Sequence, residues 1–500
     1  MSGFDECGYG GDRMNRQNNQ TNVKQTILWS LITAFFLMLI CFNLFFRLDA
    51  DGIADDDEAW HANNVYEMYT SHNYLVNTYY YETDYYNSKP PLSLWLMTGS
   101  LKLFGVSLKS LKFPSALSGL LAAVIVIVFI IRESGIRTAA SFSGMYLLMD
   151  QLYRYHCFRT GNMDALFCLL CVICLLALYC SGRNFKWFML YGFAAGLAFL
   201  TKGTHIAWLV LIGGVVLLHA VIRRSFRLRY FLCGIVLFAV PVGAWALLRY
   251  RFDGTRFFYS LLIGETGEKL SRHFSSVYLG RMATQPVYVT LFVLFAIYLL
   301  LCRRNLSNFI RKYYIFILWL LAPAVLYSMM GTAQEWYLYP SYIAATILGA
   351  LITENIWKCS KKSLSVIVSL ALCLVCAGIG VRRLGAFTYD AGGSASKEMQ
   401  QDFQELMSSE GNAFRGYKAY IQTGYDNSRE ERTWWKSGEL AIARYYGQHE
   451  CLGGGVWGFL ASEDSILVLD KAYWDEYAPM LAGYVILEDN HSLIFCHSTY

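Results

Sequence analysis

Long apolar runs separated by short charged loops make up most of this chain. The runs fall at roughly 26–46, 111–131, 138–152, 162–180, 187–200, 204–221, 230–248, 286–302, 313–331, 336–354 and 363–381. Some are shorter than the ~17–25 residues of a full crossing. Their succession nevertheless predicts an α-helical polytopic membrane protein of about 11 transmembrane helices. The stretch Leu92–Phe104 is shorter still and broken by Lys102, which predicts an interfacial or re-entrant helix. From about residue 385 the pattern changes. Gly, Ser and Asp appear between strand-like runs such as Ser465-Ile466-Leu467-Val468-Leu469, with two more strands around 484–487 and 493–496. A small C-terminal α/β soluble domain is predicted there, and being short it leans on the membrane part for burial.

Loop charge orients the chain. With the N-terminus inside and 92–104 left uncrossed, the loops at 132–137, 183–186, 223–229, 303–312 and 358–362 all fall in the cytoplasm. Each is rich in Lys or Arg. Lys102, Lys109 and Lys112 are the exceptions, and an interfacial helix lets them snorkel. The predicted division is a cytoplasmic tail at 1–25, a membrane domain at 26–384 with an outer-face loop at 47–110, and an extracytoplasmic domain at 385–500. The tail is Asn/Gln-rich without a cleavage signature, so the first span is expected to be retained.

Composition narrows the class. The chain has 500 residues, 55% of them hydrophobic, and a net charge of only +5 spread over short loops, which argues against nucleic acid as a partner. Of its fourteen cysteines, Cys168, Cys171 and Cys174 form a CxxCxxC run. On an apolar helix without partner ligands, packing explains that run better than a metal. Cys451 and Cys496 lie in the outer domain and would form a disulfide there only if the fold brings them together.

The outer-face charges carry the chemistry. Asp55-Asp56-Asp57-Glu58 opens a polar stretch that ends in Lys89-Pro90-Pro91, and further clusters lie at Arg159–Asp164, Lys202 and Glu335–Tyr337. Asp57 stands where a helix begins. Capping would explain it, and so would a carboxylate held ionised as a base. Arg159 and Asp164 are close enough in sequence for a structural ion pair. Gly203 after Lys202 lets a ligand approach the backbone. Taken together, the clusters set acids opposite cations at headgroup level. That arrangement suits transfer of a sugar from a lipid phosphate. The leaving phosphate needs cations rather than a proton donor, and the incoming hydroxyl needs one base. Direct displacement inverts the anomeric centre.

The order of motifs resembles the polyprenyl-phosphate-sugar glycosyltransferases of the GT-C fold, which include the protein O-mannosyltransferases and the lipid A aminoarabinose transferases. The motifs are Asp-Glu-Ala after the first span, Lys-Pro-Pro-Leu with Trp95 following, Phe-Gly-Val-Ser at 104–107 and Pro-Ser-Ala-Leu at 114–117. They continue with Arg-x4-Asp, Phe-Leu-Thr-Lys-Gly at 199–203 and Trp336-Tyr337-Leu338-Tyr339-Pro340. The resemblance runs from residue 26 to about 350. It implies Asp57 and Asp164 as catalytic acids, Lys89, Lys202 and Arg159 at the donor phosphate, and Glu58, Trp336 and Tyr337 near substrate. Aminoarabinose transferases carry a metal-binding Glu directly before Lys-Pro, where this chain has Ser88. Their metal-binding histidine corresponds to His273. No metal ligand is therefore assigned, and the cofactor stays open.

The resulting expectation is an inverting glycosyltransferase in a bacterial inner membrane with its site facing the periplasm. Its partners would be the bilayer, a polyprenyl-phosphate-linked sugar, and a lipid, glycan or protein acceptor. The alternative is a transporter or flippase of lipid-linked sugars, which would place paired broken helices and charges at mid-membrane.

Overall fold

The computed structural model describes residues 9–50, 52–53, 55–267, 274–331, 333–389, 403–409, 412–425, 428–488 and 493–497. Helix α1 (Tyr9–Phe45) begins before its apolar part. Helix α2 (Asp56–Ser71), a two-residue-turn hairpin of β1 (Thr78–Tyr79) and β2 (Glu82–Thr83), and α3 (Leu92–Phe104) make up the expected outer loop. Then come α4 (Leu108–Ser134), α5 (Ile136–Tyr146), α6 (Asp150–Arg154), α7 (Asp164–Ser181), α8 (Phe188–Lys202), α9 (Ala207–Ile222) and α10 (Leu228–Asp253). The membrane part ends with α11 (Arg256–Tyr259), α12 (Val277–Thr284), α13 (Pro286–Cys302), α14 (Leu306–Tyr327), α15 (Tyr339–Cys359) and α16 (Lys362–Tyr389).

Seven helical segments among the described residues are long and apolar enough to cross a membrane: Val23–Phe45, Leu108–Ser134, Asp164–Ser181, Phe185–Ile222, Leu228–Asp253, Pro286–Tyr327 and Ser363–Ala386. Two of them are antiparallel pairs. The Tyr191 hydroxyl of α8 donates to the Leu209 carbonyl of α9 at 3.1 Å. A straight helix would hold those residues about 27 Å apart, so the chain reverses between them, and Gly203 (φ +57°) stands at the junction. Likewise the rings of Tyr298 and Phe309 lie 5.4 Å apart across the α13–α14 turn. Helix α15 fills the expected 336–354 span but carries Ser, Thr and Tyr and is buried along most of its length. Packed among other helices, it has no need of a lipid-compatible surface.

One expected span is broken. Residues 138–152 are not a continuous helix, because α5 ends at Tyr146 and α6 begins at Asp150. An interrupted helix buried among other helices needs protein partners for its freed carbonyls. Arg383 of α16 supplies them. Its fully buried guanidinium donates to the Leu147 carbonyl (2.6 Å), Asp150 Oδ1 (2.7 Å) and Asn43 Oδ1 (3.2 Å).

Helix α3 keeps Leu96, Leu103 and Phe104 exposed, as an interfacial helix does. Lys102 on it bonds the Tyr74 hydroxyl, and Lys109 pairs with Asp49 at 3.4 Å. Lys112 departs from the snorkelling expectation. It is fully buried, bonds the Gly52 carbonyl and lies 3.6 Å from Glu58. Cys168, Cys171 and Cys174 are buried in the α7 core.

The C-terminal unit is a mixed sheet of β3 (Lys418–Tyr425), β4 (Ser428–Arg432), β5 (Glu450–Cys451), β6 (Ser465–Asp470), β7 (Val485–Glu488) and β8 (Leu493–His497). The order is β4-β3-β6-β8-β7, with β5 parallel to β3. Cys451 and Cys496 are free thiols, separated across the sheet by β3 and β6. This unit docks on α2 through the helix Ser437–Tyr446. Arg444 Nη1 sits 3.0 Å from both Glu67 Oε1 and Asn63 Oδ1, and the Tyr445 hydroxyl donates to the Ala62 carbonyl at 3.1 Å. Ala59, Ala62 and Val65 of α2 share one core with Leu440, Ala441 and Ile442. The helix that opens with the acid run is thus fixed from outside by the sheet domain.

Candidate active site

The acid run separates into distinct roles. Asp55, not Asp57, caps α2: its backbone is extended (φ −157°, ψ 170°) and its Oδ1 accepts the Glu58 N–H at 2.7 Å. Glu58 is fully buried, accepts the Gly161 N–H at 2.7 Å and faces Lys112. It supports the loop from within and is not placed to touch a substrate, contrary to expectation. Asp57, released from capping, has a side chain 57% exposed.

The centre of the site is a residue the sequence reading did not select. His156, 3% exposed, has its backbone in the left-handed region (φ +56°), which non-glycine residues seldom occupy. Its Nδ1 lies 3.1 Å from Asp55 Oδ2, and its Nε2 lies 3.7 Å from Asp57 Oδ2 and 3.5 Å from Asp164 Oδ2. The Trp336 indole stacks on the ring at 3.8 Å and 17°. One imidazole therefore joins three carboxylates under an aromatic lid.

Asn162 extends the network. Its Nδ2 donates to Asp55 Oδ2 at 3.1 Å, and its Oδ1 lies 3.0 Å from His61 Nδ1. With the amide so oriented, His61 donates from Nδ1 and leaves Nε2 as an acceptor. Burial, chiefly, holds His61 below its ordinary pKa, with the charges of His156 and Lys89 adding to the effect. Burial pushes Asp55 upward, but the His156 hydrogen bond and charge and the Glu58 N–H outweigh it, and its pKa ends below the usual carboxylate value. Asp55 is held ionised.

Asp164 at the start of α7 and Lys202 at the end of α8 form a buried ion pair, 3% and 7% exposed in their side chains. Lys202 also lies 5.5 Å from the centre of the Tyr337 ring and 5.9 Å from that of Phe167. Tyr337 packs on His205 (4.9 Å) and Tyr327 (4.7 Å). Lys89 is half-buried, near enough to His61 for its charge to act there.

Arg159 has a different role from the one expected. Its Nη1 donates to the carbonyls of Asn43 (3.1 Å), Leu44 (3.3 Å) and Phe46 (2.9 Å), and its Nη2 to that of Arg47 (2.8 Å). It closes the C-terminal end of α1, whose last carbonyls have no intrahelical donors. The pair imagined for Asp164 is Lys202, not Arg159.

His156 and Asn162 sit in the same short polar segment as Arg159 and Asp164, and a histidine and an amide between two apolar spans was the available signal. Ser88 is buried, and His273 lies outside the described residues. Among the described residues no group of three His, Cys, Asp or Glu side chains is arranged to hold a metal ion. The carboxylates surround an imidazole rather than a common point.

Residues 88–247 match the family model of the dolichyl-phosphate-mannose-protein mannosyltransferases. Two uncharacterised proteins of Aquifex aeolicus (strain VF5) are similar. One is 25% identical over 226 residues, covering 44% of this chain and 44% of that relative. The other is 27% identical over 284 residues, covering 55% and 63%. The matches thus span less than two thirds of either relative. Two crystal structures of ArnT from Cupriavidus metallidurans, one bound to undecaprenyl phosphate and one in the apo state, each superpose with a TM-score of 0.64 at 16% identity. They cover 94% and 95% of this chain and 98% of that one.

Proposed function

We propose, from a chain of GT-C fold carrying a mannosyltransferase-family segment, that the protein moves a sugar from a polyprenyl-phosphate donor to an acceptor hydroxyl. The observation that carries this reading concerns the three carboxylates around His156, Asp55, Asp57 and Asp164. Of these, only Asp57 is both well exposed and free of capping duty. It stands 3.7 Å from an imidazole that Asp55 orients. Asp57 takes the proton of the acceptor hydroxyl as the oxygen attacks the anomeric carbon. The bond to the phosphate oxygen breaks with its electron pair, and the configuration inverts.

Lys89 and Lys202 face the phosphate as its charge grows, which favours the transition state over the bound donor. Lys202 gives one N–H to Asp164 and retains two for the phosphate. Asp164 holds that ammonium in place. The fold of ArnT, which has been crystallised with undecaprenyl phosphate, supports a polyprenyl phosphate as the lipid. The loop-charge parity supports a non-cytoplasmic site in the inner membrane, with 385–500 on the same side.

The test is incubation of the purified protein with a panel of radiolabelled polyprenyl-phosphate sugars, separating released lipid phosphate from product. Release that depends on the protein and on an acceptor is expected. Folded protein that consumes none of the panel would overturn the reading.

A further inference from the structure

A line of aromatic rings starts beside Asp57 and ends on the sheet domain. Trp60 lies one helical turn beyond Asp57, on the same face of α2. Its indole stacks on Tyr79 at 4.1 Å and 6° and meets Tyr86 at 4.9 Å. Tyr79 meets Tyr80 edge-on at 5.0 Å, and Tyr80 meets Trp434 edge-on at 6.0 Å. Tyr86 and Trp434 are 79% and 60% exposed.

The rings are held in place. The Trp60 N–H donates to Asp84 Oδ2 at 2.6 Å, and Asp84 Oδ1 accepts the N–H groups of Tyr86 and Asn87 at 2.9 and 3.0 Å. The Tyr80 hydroxyl donates to the Trp435 carbonyl at 3.0 Å. The turn itself is unusual. Tyr80 (φ +53°) and Tyr81 (φ +59°) both occupy left-handed backbone, where a two-residue hairpin turn ordinarily uses Asn-Gly. Folding would be easier with small residues there. Tyr81 is 58% exposed, so the core does not require its ring. The turn is held by the Tyr81 N–H, which donates to Glu67 Oε2 at 2.8 Å, and it keeps Tyr80 half-buried against Trp434 and Tyr81 at the surface.

We propose that this run is the acceptor subsite and that the acceptor is a saccharide chain. A sugar ring offers a flat face of C–H groups and a rim of hydroxyls. Fixed aromatic faces, negative at their centres, attract the first, while tyrosine hydroxyls and nearby carboxylates bond the second. Of the neighbouring cations, Arg444 is paired with Glu67 and Arg256 stacks on the Tyr85 ring at 3.9 Å, so the run itself presents ring faces rather than charge. Units lying over Tyr86 and Trp434 leave one hydroxyl at Asp57. The acceptor role rests on the glycosyl-transfer reading, whereas saccharide binding does not.

The experiment uses full-length protein in nanodiscs without donor, probed on an array of short neutral oligosaccharides. The strongest binder is then titrated by tryptophan fluorescence. Binding by wild type is expected, with Tyr86→Ala and Trp434→Ala each weakening it on the order of tenfold. Both positions are exposed, so neither change threatens folding. The proposal is overturned if wild type binds no saccharide or if both variants bind as wild type does. In turnover, the variants should raise the acceptor KM and leave the donor KM alone. A raised donor KM alone would place the run on the donor side and overturn it too. Saccharide binding without any sugar transfer would sink the transferase reading and leave the binding site standing.

Discussion

Removing one charge of the Asp164–Lys202 pair should cost stability, and removing both should return it. In Lys202→Met, Asp164 stays buried with His156 Nε2 at 3.5 Å as its remaining partner among the contacts described. Breaking a buried pair from one side costs about 3–5 kcal/mol. The surviving imidazole contact places this case near the low end, about 3 kcal/mol. Asp164→Asn leaves the ammonium near Tyr337 and Phe167, where ring contacts return about 1–2 kcal/mol, so it should cost less. The double variant strands no charge and should recover most of the loss, giving a coupling of about 2–3 kcal/mol. Unfolding followed by intrinsic fluorescence in detergent measures the stabilities, and sugar transfer by the same samples measures function. A pair serving the donor phosphate gives a double variant that is stable but slow. Wild-type stability in Lys202→Met would refute the burial argument, and a double variant with normal turnover would refute the functional one.

Three further outcomes follow from the geometry. His156→Asn keeps a side chain that tolerates positive φ but separates Asp55 from Asp57, so folding should persist while kcat falls on the order of tenfold to hundredfold with an altered pH profile; an unchanged profile would make His156 structural only. His61 has a depressed pKa, so its contribution to stability is complete above its unfolded value of about 6.5 and is lost as pH falls below it; unfolding midpoints should drop over that window in wild type and less in His61→Gln, and equal slopes would exclude His61 as the cause. Cysteines introduced at 57 and at 450 should both react with an impermeant thiol reagent added from outside, and labelling of the two from opposite sides would break the proposed topology.

Much of this was legible because membrane proteins limit where charge can go. Asp57, Lys89, Asp164 and Lys202 stood out as ions at the ends of apolar spans, and the strands at 465–469, 484–487 and 493–496 stood out by contrast with the helices before them. Partner choice was not legible. Arg159 and Lys202 carry the same charge near the same acid, and only the fold shows that the α1 carbonyls take one and Asp164 the other. His156 is an isolated histidine in sequence, and its three carboxylates come from α2 and α7. The break after Tyr146 was hidden because Arg383, more than two hundred residues away, satisfies it. Asp55 and Asp57 lie only two positions apart, one the cap of α2 and the other in its first turn, too fine a distinction for a run of four acids.

The most direct test of the central claim is the rate of sugar transfer by Asp57→Asn beside wild type, with the product anomer read by NMR. Asn keeps the size of Asp and, because Asp55 is the cap, leaves the start of α2 intact. The account predicts a folded variant slowed by roughly 10²–10⁴, and inversion at the anomeric carbon in the wild-type product. Transfer by Asp57→Asn at close to the wild-type rate, or a product with retained configuration, would contradict it.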